Sequence, residues 1–374
     1  MKKEKKNILK TNGMQSLIAS IICIIVGMFV GYVVLLFINP AGAGKAVVTI
    51  IKNFMTYTNS GMRVKYFGTT LAKTVPLLLC ALSILFSYKV GLFNIGCSGQ
   101  YTAGACAALY AALKWGWGWI PCLLFAVIAG ALAGAIVGAL KSYCNVNEVI
   151  SGIMLNWILL YLTNTILSGV KEPTSPYTYQ LKNYGPKSLL PNIGLNKLFN
   201  NNANVTMAVP LAIIIAVIVL IVLNKTKFGY ELKATGFNKN AAKYCGMKEK
   251  RNIILSLVIS GALAGLAASL YYQTGIQQWE CTTASVPAMG FNGIAATFLG
   301  GLHPIGTIFS SFFIEQITLG GAYVDKTMYS SQISDLISAF IIYLCGFVLF
   351  LKLLMKKMIA KAEAKKAAKE GGDK

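Results

Sequence analysis

The stretch Leu17-Ile-Ala-Ser-Ile-Ile-Cys-Ile-Ile-Val-Gly-Met-Phe-Val-Gly-Tyr-Val-Val-Leu-Leu-Phe37 carries no charged residue. A helix rises about 1.5 Å per residue, so roughly 20 apolar residues cross a hydrocarbon core about 30 Å thick. This run meets that length. It follows a basic start, with five lysines among the first ten residues, but lacks a small-residue cleavage site and reads as a retained span, not a secretory signal.

Working outward, the same ruler finds ten candidate spans. Residues 17–37, 125–140 (with Trp119 upstream), 149–167, 205–223, 253–272 and 333–354 are long and nearly uncharged. Residues 70–88, 99–113, 286–301 and 305–321 are shorter or interrupted by Gly, Pro, Asn and Gln. The 374 residues are 56% hydrophobic and 12% charged, against about 25% charged in an ordinary soluble domain. The expected fold class is therefore all-α: a polytopic membrane helix bundle of about ten transmembrane helices. Residues 1–16 form a basic amino terminus, 17–354 the membrane domain with a long internal loop at 224–252, and 355–374 a basic tail.

The net charge of +22 does not imply nucleic acid, because Lys and Arg cluster beside apolar runs, where they set orientation. With both termini cytoplasmic, inside segments hold five lysines before the first span, Lys89, Lys141, eight basic residues from Lys225 to Arg251 and eight from Lys352 to Lys374. The loops left outside, chiefly 38–68 and 168–204, hold about ten. The positive-inside bias supports this orientation. Nine cysteines without a C-x-x-C pair imply no disulfide framework, and a single histidine, His303, leaves a multi-ligand metal site hard to build. No metal is expected.

Gly130, Gly134 and Gly138 form a double G-x-x-x-G, and Gly261 with Gly265 another. Such stripes let helix backbones approach closely and read as architecture. The loop between the sixth and seventh spans centres on Lys233-Ala-Thr-Gly-Phe-Asn-Lys-Asn-Ala-Ala-Lys-Tyr-Cys-Gly-Met247. Gly236 offers a break, Asn238 an N-cap, residues 239–245 a short helix and Gly246 its C-terminal glycine. That predicts a rigid knob.

Four segments together resemble one family. They are Thr74-Val-Pro-Leu-Leu-Leu79 leading to Gly91-Leu-Phe-Asn-Ile-Gly96 and Gly99-Gln100; Asn147-Glu-Val-Ile-Ser-Gly-Ile-Met-Leu-Asn156; 236–247; and Gly290-Phe-Asn-Gly-Ile-Ala295 with His303-Pro304-Ile-Gly306. In order and spacing the chain resembles permeases of the simple-sugar and nucleoside branch of the ATP-binding cassette (ABC) importers, relatives of ribose and branched-chain amino acid permeases, and the nucleoside type most. The resemblance implies a type II ABC importer-like bundle and a permease core paired with an identical or paralogous permease subunit. It also implies two cytosolic ABC ATPase subunits that use ATP and Mg, and an extracytoplasmic lipoprotein solute receptor, at the cell membrane. The solute would be a nucleoside or a simple sugar. Gly236, Asn238, Ala241, Ala242, Tyr244 and Gly246 would then form the ATPase-coupling element. Ser98, Asn292, Lys239 and Asn240 depart from the family pattern, which often has an acid, Asp, Pro and Glu there.

Polar groups inside a membrane are costly and tend to face protein or a cavity. Asn94 and Gln100 flank Gly96 and Gly99, where a helix break frees backbone to line a path. They are the first candidates for the substrate pathway, with Phe93 as a stacking surface; Asn156 is a further intramembrane amide among the pathway candidates. Phe291 and Asn292, in the Gly290–Gly293 break, come second. The plainer reading of Asn94 is a cap on the third span. Glu148 reads as a cap, Lys73 as a snorkelling lysine, and His303 as a turn residue before Pro304. Trp115, Trp117 and Trp119 read as an interfacial belt. Glu315, mid-span, has no partner legible in sequence.

Gly42-Ala-Gly-Lys45 is not a phosphate loop, since Asn39 and Ala46 stand where Gly and Ser or Thr are needed. The chain is thus expected to be no enzyme and to bind no cofactor of its own. A self-sufficient secondary transporter would show similar broken helices. A membrane enzyme would need a nucleophile or metal cluster that the sequence lacks.

Overall fold

The computed structural model describes residues 12–330, 332–348 and 350–358. Most of the basic amino terminus and most of the basic tail lie outside the described residues. The helices are α1 (Asn12–Ile38), α2 (Ala43–Lys52), α3 (Ser60–Tyr88), α4 (Cys97–Lys114), α5 (Trp119–Tyr143), α6 (Glu148–Leu167), α7 (Leu181–Tyr184), α8 (Leu195–Leu198), α9 (Ala208–Lys225), α10 (Lys227–Phe237), α11 (Lys239–Tyr244), α12 (Glu249–Tyr272), α13 (Met289–Leu299), α14 (Pro304–Gly320) and α15 (Ile333–Cys345). Among the described residues there is no strand, only isolated bridges pairing Lys171 with Thr178 and Tyr177 with Glu280. Among the described residues, six helices, α1, α3, α5, α6, α9 and α12, are long and apolar enough to cross a membrane. The chain is an all-helical, multi-pass membrane protein.

The boundaries differ from the sequence reading where local capping outweighs hydropathy. The second span starts at Ser60 instead of Thr70 because the Asn59 side chain accepts from the Gly61 N–H at 2.8 Å and starts the helix early. The two long loops between spans are structured. Residues 38–68 contain α2, and 168–204 are held by backbone bonds from Thr178 N to Trp279 O and from Cys281 N to Pro176 O, each 2.9 Å. At the start of α6 the cap is Asn147, which accepts from Val149 N at 2.8 Å. Glu148 instead pairs with Lys141 at 2.8 Å.

The eighth predicted span is the largest departure. Its helix, α13, has 11 residues, about 16 Å of rise, too little to cross the hydrocarbon alone. It begins at Met289, so Gly290 and Gly293 lie inside it and form no break there. They are packing positions: a Cβ on Gly290 would come within 2.6 Å of Ser98 N, and one on Gly293 within 3.0 Å of Cys80 Cβ. The α13 amino terminus therefore rests on the first turn of α4 and the middle of α3.

α3 and α12 are the inner helices, with most side chains along 74–87 and 260–272 buried. α5 meets α12 backbone to backbone. A Cβ on Gly130 would collide with the Gly261 carbonyl oxygen, one on Gly134 with Leu257 O, and one on Gly265 with Ala126 O. Gly104 of α4 presses on the same Gly265. The glycine stripes are architectural, as their spacing implies.

Candidate functional site

The chain between α3 and α4 turns at Gly91, where φ is +79°, and climbs back into the bundle before α4 starts at Cys97. No side chain caps α4. Asn94 is therefore not its cap. The Asn94 Nδ2 donates to Gln100 Oε1 at 2.8 Å and to Ser260 Oγ at 2.7 Å, while Gln100 Nε2 donates back to Asn94 Oδ1 at 3.3 Å. Ser260 Oγ in turn donates to Ser83 O at 2.7 Å. Asn156 closes the group from α6: its Oδ1 accepts from Gly99 N at 2.7 Å and its Nδ2 donates to Ile95 O at 3.1 Å.

Three of the sequence-chosen residues thus converge on the turn that joins α3 to α4; Gly99 and Gln100 lie inside the unbroken α4, so the helix break expected there is an inter-helix turn instead. Asn94, Gln100 and Asn156 are each 2% exposed or less, and a buried amide is tolerated only when hydrogen-bonded. Satisfied by each other, by Ser260 and by the backbone of Ile95 and Gly99, they fix the α3–α4 turn. Glycine makes this possible, since a Cβ on Gly99 would sit 2.7 Å from Asn156 Oδ1. Phe93 is half-buried and faces Phe298 of α13, ring centres 6.4 Å apart. Phe291 is exposed and Asn292 half-buried, and no hydrogen bond joins either side chain to the Asn94 group.

The second candidate element is the loop from α9 to α12. Asn238 caps α11, its Oδ1 accepting from Ala241 N at 3.0 Å, and Gly246 ends it with φ +77°, a conformation that costs an L-residue about 1–2 kcal/mol. Ala242 is buried, while Phe237 and Tyr244 are each 92% exposed. Gly236 is not a break. It lies inside α10, where a Cβ would meet Lys89 O at 2.5 Å and Gly91 N at 3.1 Å. Its role is close approach of α10 to the α3–α4 turn.

The same turn is tied on its other side. Lys89 Nζ donates to Leu302 O, 2.8 Å away in the α13–α14 turn. Burial, and then repulsion from Lys233 and Lys352, pulls its ammonium below the ordinary lysine range. α10 is also braced on α12, by Arg251–Glu231 at 2.9 Å and by Asn252 Nδ2 to Thr235 Oγ1 at 3.0 Å. His303 Nδ1 accepts from Ile305 N at 3.3 Å and caps α14, which makes it a turn residue. Asn164 binds Trp279 Nε1 at 2.9 Å and Thr283 O at 2.8 Å, so it anchors the 273–288 segment.

Residues 66–346 match the family described as branched-chain amino acid transport system / permease component. The chain belongs to this family. It is 34% identical over 311 residues to the nucleoside ABC transporter permease protein NupB of Lactococcus lactis, covering 80% of this chain and 83% of that one. It is 31% identical over 298 residues to the guanosine ABC transporter permease protein NupP of Bacillus subtilis, covering 78% and 84%. The glucose ABC transporter permease protein TsgB13 of Haloferax volcanii is 28% identical over 69% of this chain and 70% of its own length. No solved structure is significantly similar to the chain.

In this permease, sequence reasoning missed Ser83 and Ser260, because a serine in an apolar helix looks like an ordinary small residue. Position is the signal that could have found Ser260: it stands beside Gly261 on the face that meets the α3–α4 turn. α10 was missed because its amphipathic turn is short and flanked by lysines. Replacing Asn238 with Ala should remove the α11 cap at a cost of about 1 kcal/mol. Amide hydrogen exchange over 239–245 should then quicken by roughly fivefold while α12 stays protected, and unchanged exchange would disprove the capping role.

Proposed function

We infer that this chain is the membrane-spanning permease subunit of an ABC importer and that its solute is a nucleoside. The observation that carries the reading is the relationship to nucleoside and guanosine permeases over about 80% of the chain. A capped helical knob, α11, is linked through Gly236 and Lys89 to the α3–α4 turn, and supports it. In this reading α10 and α11 face the cytosol and receive the motion of the ABC ATPase subunits, with Phe237 and Tyr244 as the contact surface. ATP and Mg are bound by those subunits and by no residue here.

The mechanics follow from rigid pieces. A short helix with both ends capped transmits displacement without bending. Because α10 touches the 89–91 turn through glycine and backbone, a push on α11 moves the segment that bears Asn94. The Asn94, Gln100 and Asn156 group with Phe93 is the inner end of the solute pathway, and Phe291 and Asn292 flank it. The exchange of its internal hydrogen bonds for bonds to the solute opens the path, consistent with non-helical segments lining transport sites. Both termini are cytoplasmic. The chain makes ten passes, the eighth built from residues 273–288 together with α13. A second permease subunit completes the pore in the cell membrane, and an extracytoplasmic lipoprotein receptor delivers the solute.

The test is reconstitution. Proteoliposomes with the permease pair, ATPase subunits and receptor should take up labelled nucleoside only with ATP inside the ATPase-bearing compartment. Uptake by the lone chain on an ion gradient would instead establish a secondary transporter. Gly246→Val should leave the ATPase bound but cut uptake per ATP several-fold, since valine resists the left-handed backbone that ends α11. Unchanged stoichiometry would remove α11 from the coupling path.

A further inference from the structure

α2 is a ten-residue helix that begins five residues after α1 ends. The last residues of α1 are apolar and exposed, Phe37 at 87%, and α1 is long enough to cross a membrane, so α2 follows directly on the end of a span. Its buried face, Ala43, Ala46 and Ile50, packs on the bundle, and Gly320 of α14 meets the Ile50 backbone there. The opposite face carries Lys45, Thr49 and Lys52 at helical spacing, flanked by exposed Val48 and Ile51.

Beside this face lies a cleft of about 520 Å³ whose lining includes Lys45, Lys52, Arg63, Thr49, Thr56 and Thr58. No acid lines it. The Asp325 carboxylate is attracted by Lys45 but is occupied by Thr327, which donates its N–H at 2.9 Å and its Oγ1 at 2.7 Å. Arg63 Nε donates to Tyr57 O, which fixes the guanidinium at the rim. Among the described residues, none of the three cations forms an ion pair.

The geometry points to a binding site for the headgroup of an anionic phospholipid, with the phosphate held by Lys45, Lys52 and Arg63, hydroxyls from the threonines, and the acyl chains running down past Val48, Ile51 and Met55. Three cations that share one cleft with no carboxylate in its lining favour an anion there. The exposed apolar residues on the same flank favour a lipid over a protein partner, because a polar receptor surface would leave them wet, whereas acyl chains cover them. The site is independent of the nucleoside pathway and of which side of the membrane α2 occupies.

Native mass spectrometry of the delipidated full-length chain in neutral detergent tests the proposal. Titration with dioleoyl phosphatidylglycerol should give tighter binding than dioleoyl phosphatidylcholine. The triple variant Lys45→Gln, Lys52→Gln, Arg63→Gln should lose at least fivefold in phosphatidylglycerol affinity with phosphatidylcholine unchanged. A control with the same charge change elsewhere, Lys182→Gln, Lys187→Gln, Lys197→Gln, should keep wild-type lipid binding, and equal loss in both variants would overturn the site as mere net-charge attraction. Retained binding in the first variant would overturn it too. Displacement of the lipid by millimolar inorganic phosphate would show a free-anion site, and loss of receptor binding with intact lipid affinity would show a protein-docking surface. Either would end the lipid assignment.

Discussion

Gly261→Val should prevent accumulation of the folded protein. A Cβ there would overlap the Gly130 carbonyl oxygen and lie 3.2 Å from Gly134 Cα. These atoms belong to backbone, so no rotamer change relieves the clash, and α5 must move off α12. Overpacking of a tight core costs about 1–3 kcal/mol and occasionally more. Here the separation would also strip the neighbouring contacts at Leu257, Gly265 and Gly104. Detergent-extracted protein should fall to a small fraction of wild type, with a lowered melting temperature in what remains. A wild-type melting temperature would show that the two backbones are farther apart than described. Gly44→Val, where a Cβ meets nothing within 4 Å, is the matched control.

Asn94→Ala should lower uptake by about tenfold while the complex with the ATPase still assembles. The substitution leaves Gln100 Oε1 without its donor in a fully buried position. An unmet buried polar group costs about 1–3 kcal/mol, enough to shift a two-state balance by about 5- to 150-fold. Ser260 keeps its bond to Ser83 O, so the fold should hold. The measurements are uptake in proteoliposomes and co-purification of the ATPase. Normal uptake would remove Asn94 from the pathway, and loss of both uptake and assembly would make it a structural strut only.

The helices were legible in sequence because an apolar run of span length has few alternative fates. The α11 knob was legible too, because Asn238 and Gly246 are residue types whose capping chemistry acts locally. What escaped depends on partners far along the chain. Nothing near Gly236 announces that its hydrogen atom faces the Lys89 carbonyl, so its helix interior was read as a break. Gly290 and Gly293 misled in the same way: glycine for close packing and glycine for a turn look alike until the neighbouring helix is known. The length of α13 was hidden because hydropathy scores the apolar residues before Met289, yet the segment ahead of it is pinned to Thr178 and Asn164 instead of extending the helix. The convergence of Asn94, Gln100 and Asn156 was visible only as separate intramembrane amides. Ser260, which joins them to α12, was not visible at all.

The glycine seam between α5 and α12 bears on how such a protein moves. An interface that lacks side chains has no second set of rotamers to settle into, and sliding by one residue would drive a carbonyl into a methylene. Those two helices, with α4 wedged against them, are therefore expected to travel as one plate. Any hinge must be sought where larger side chains interdigitate, along the border that α3 shares with α9 and α14, and spin labels straddling that border should report distance changes that labels across the seam do not.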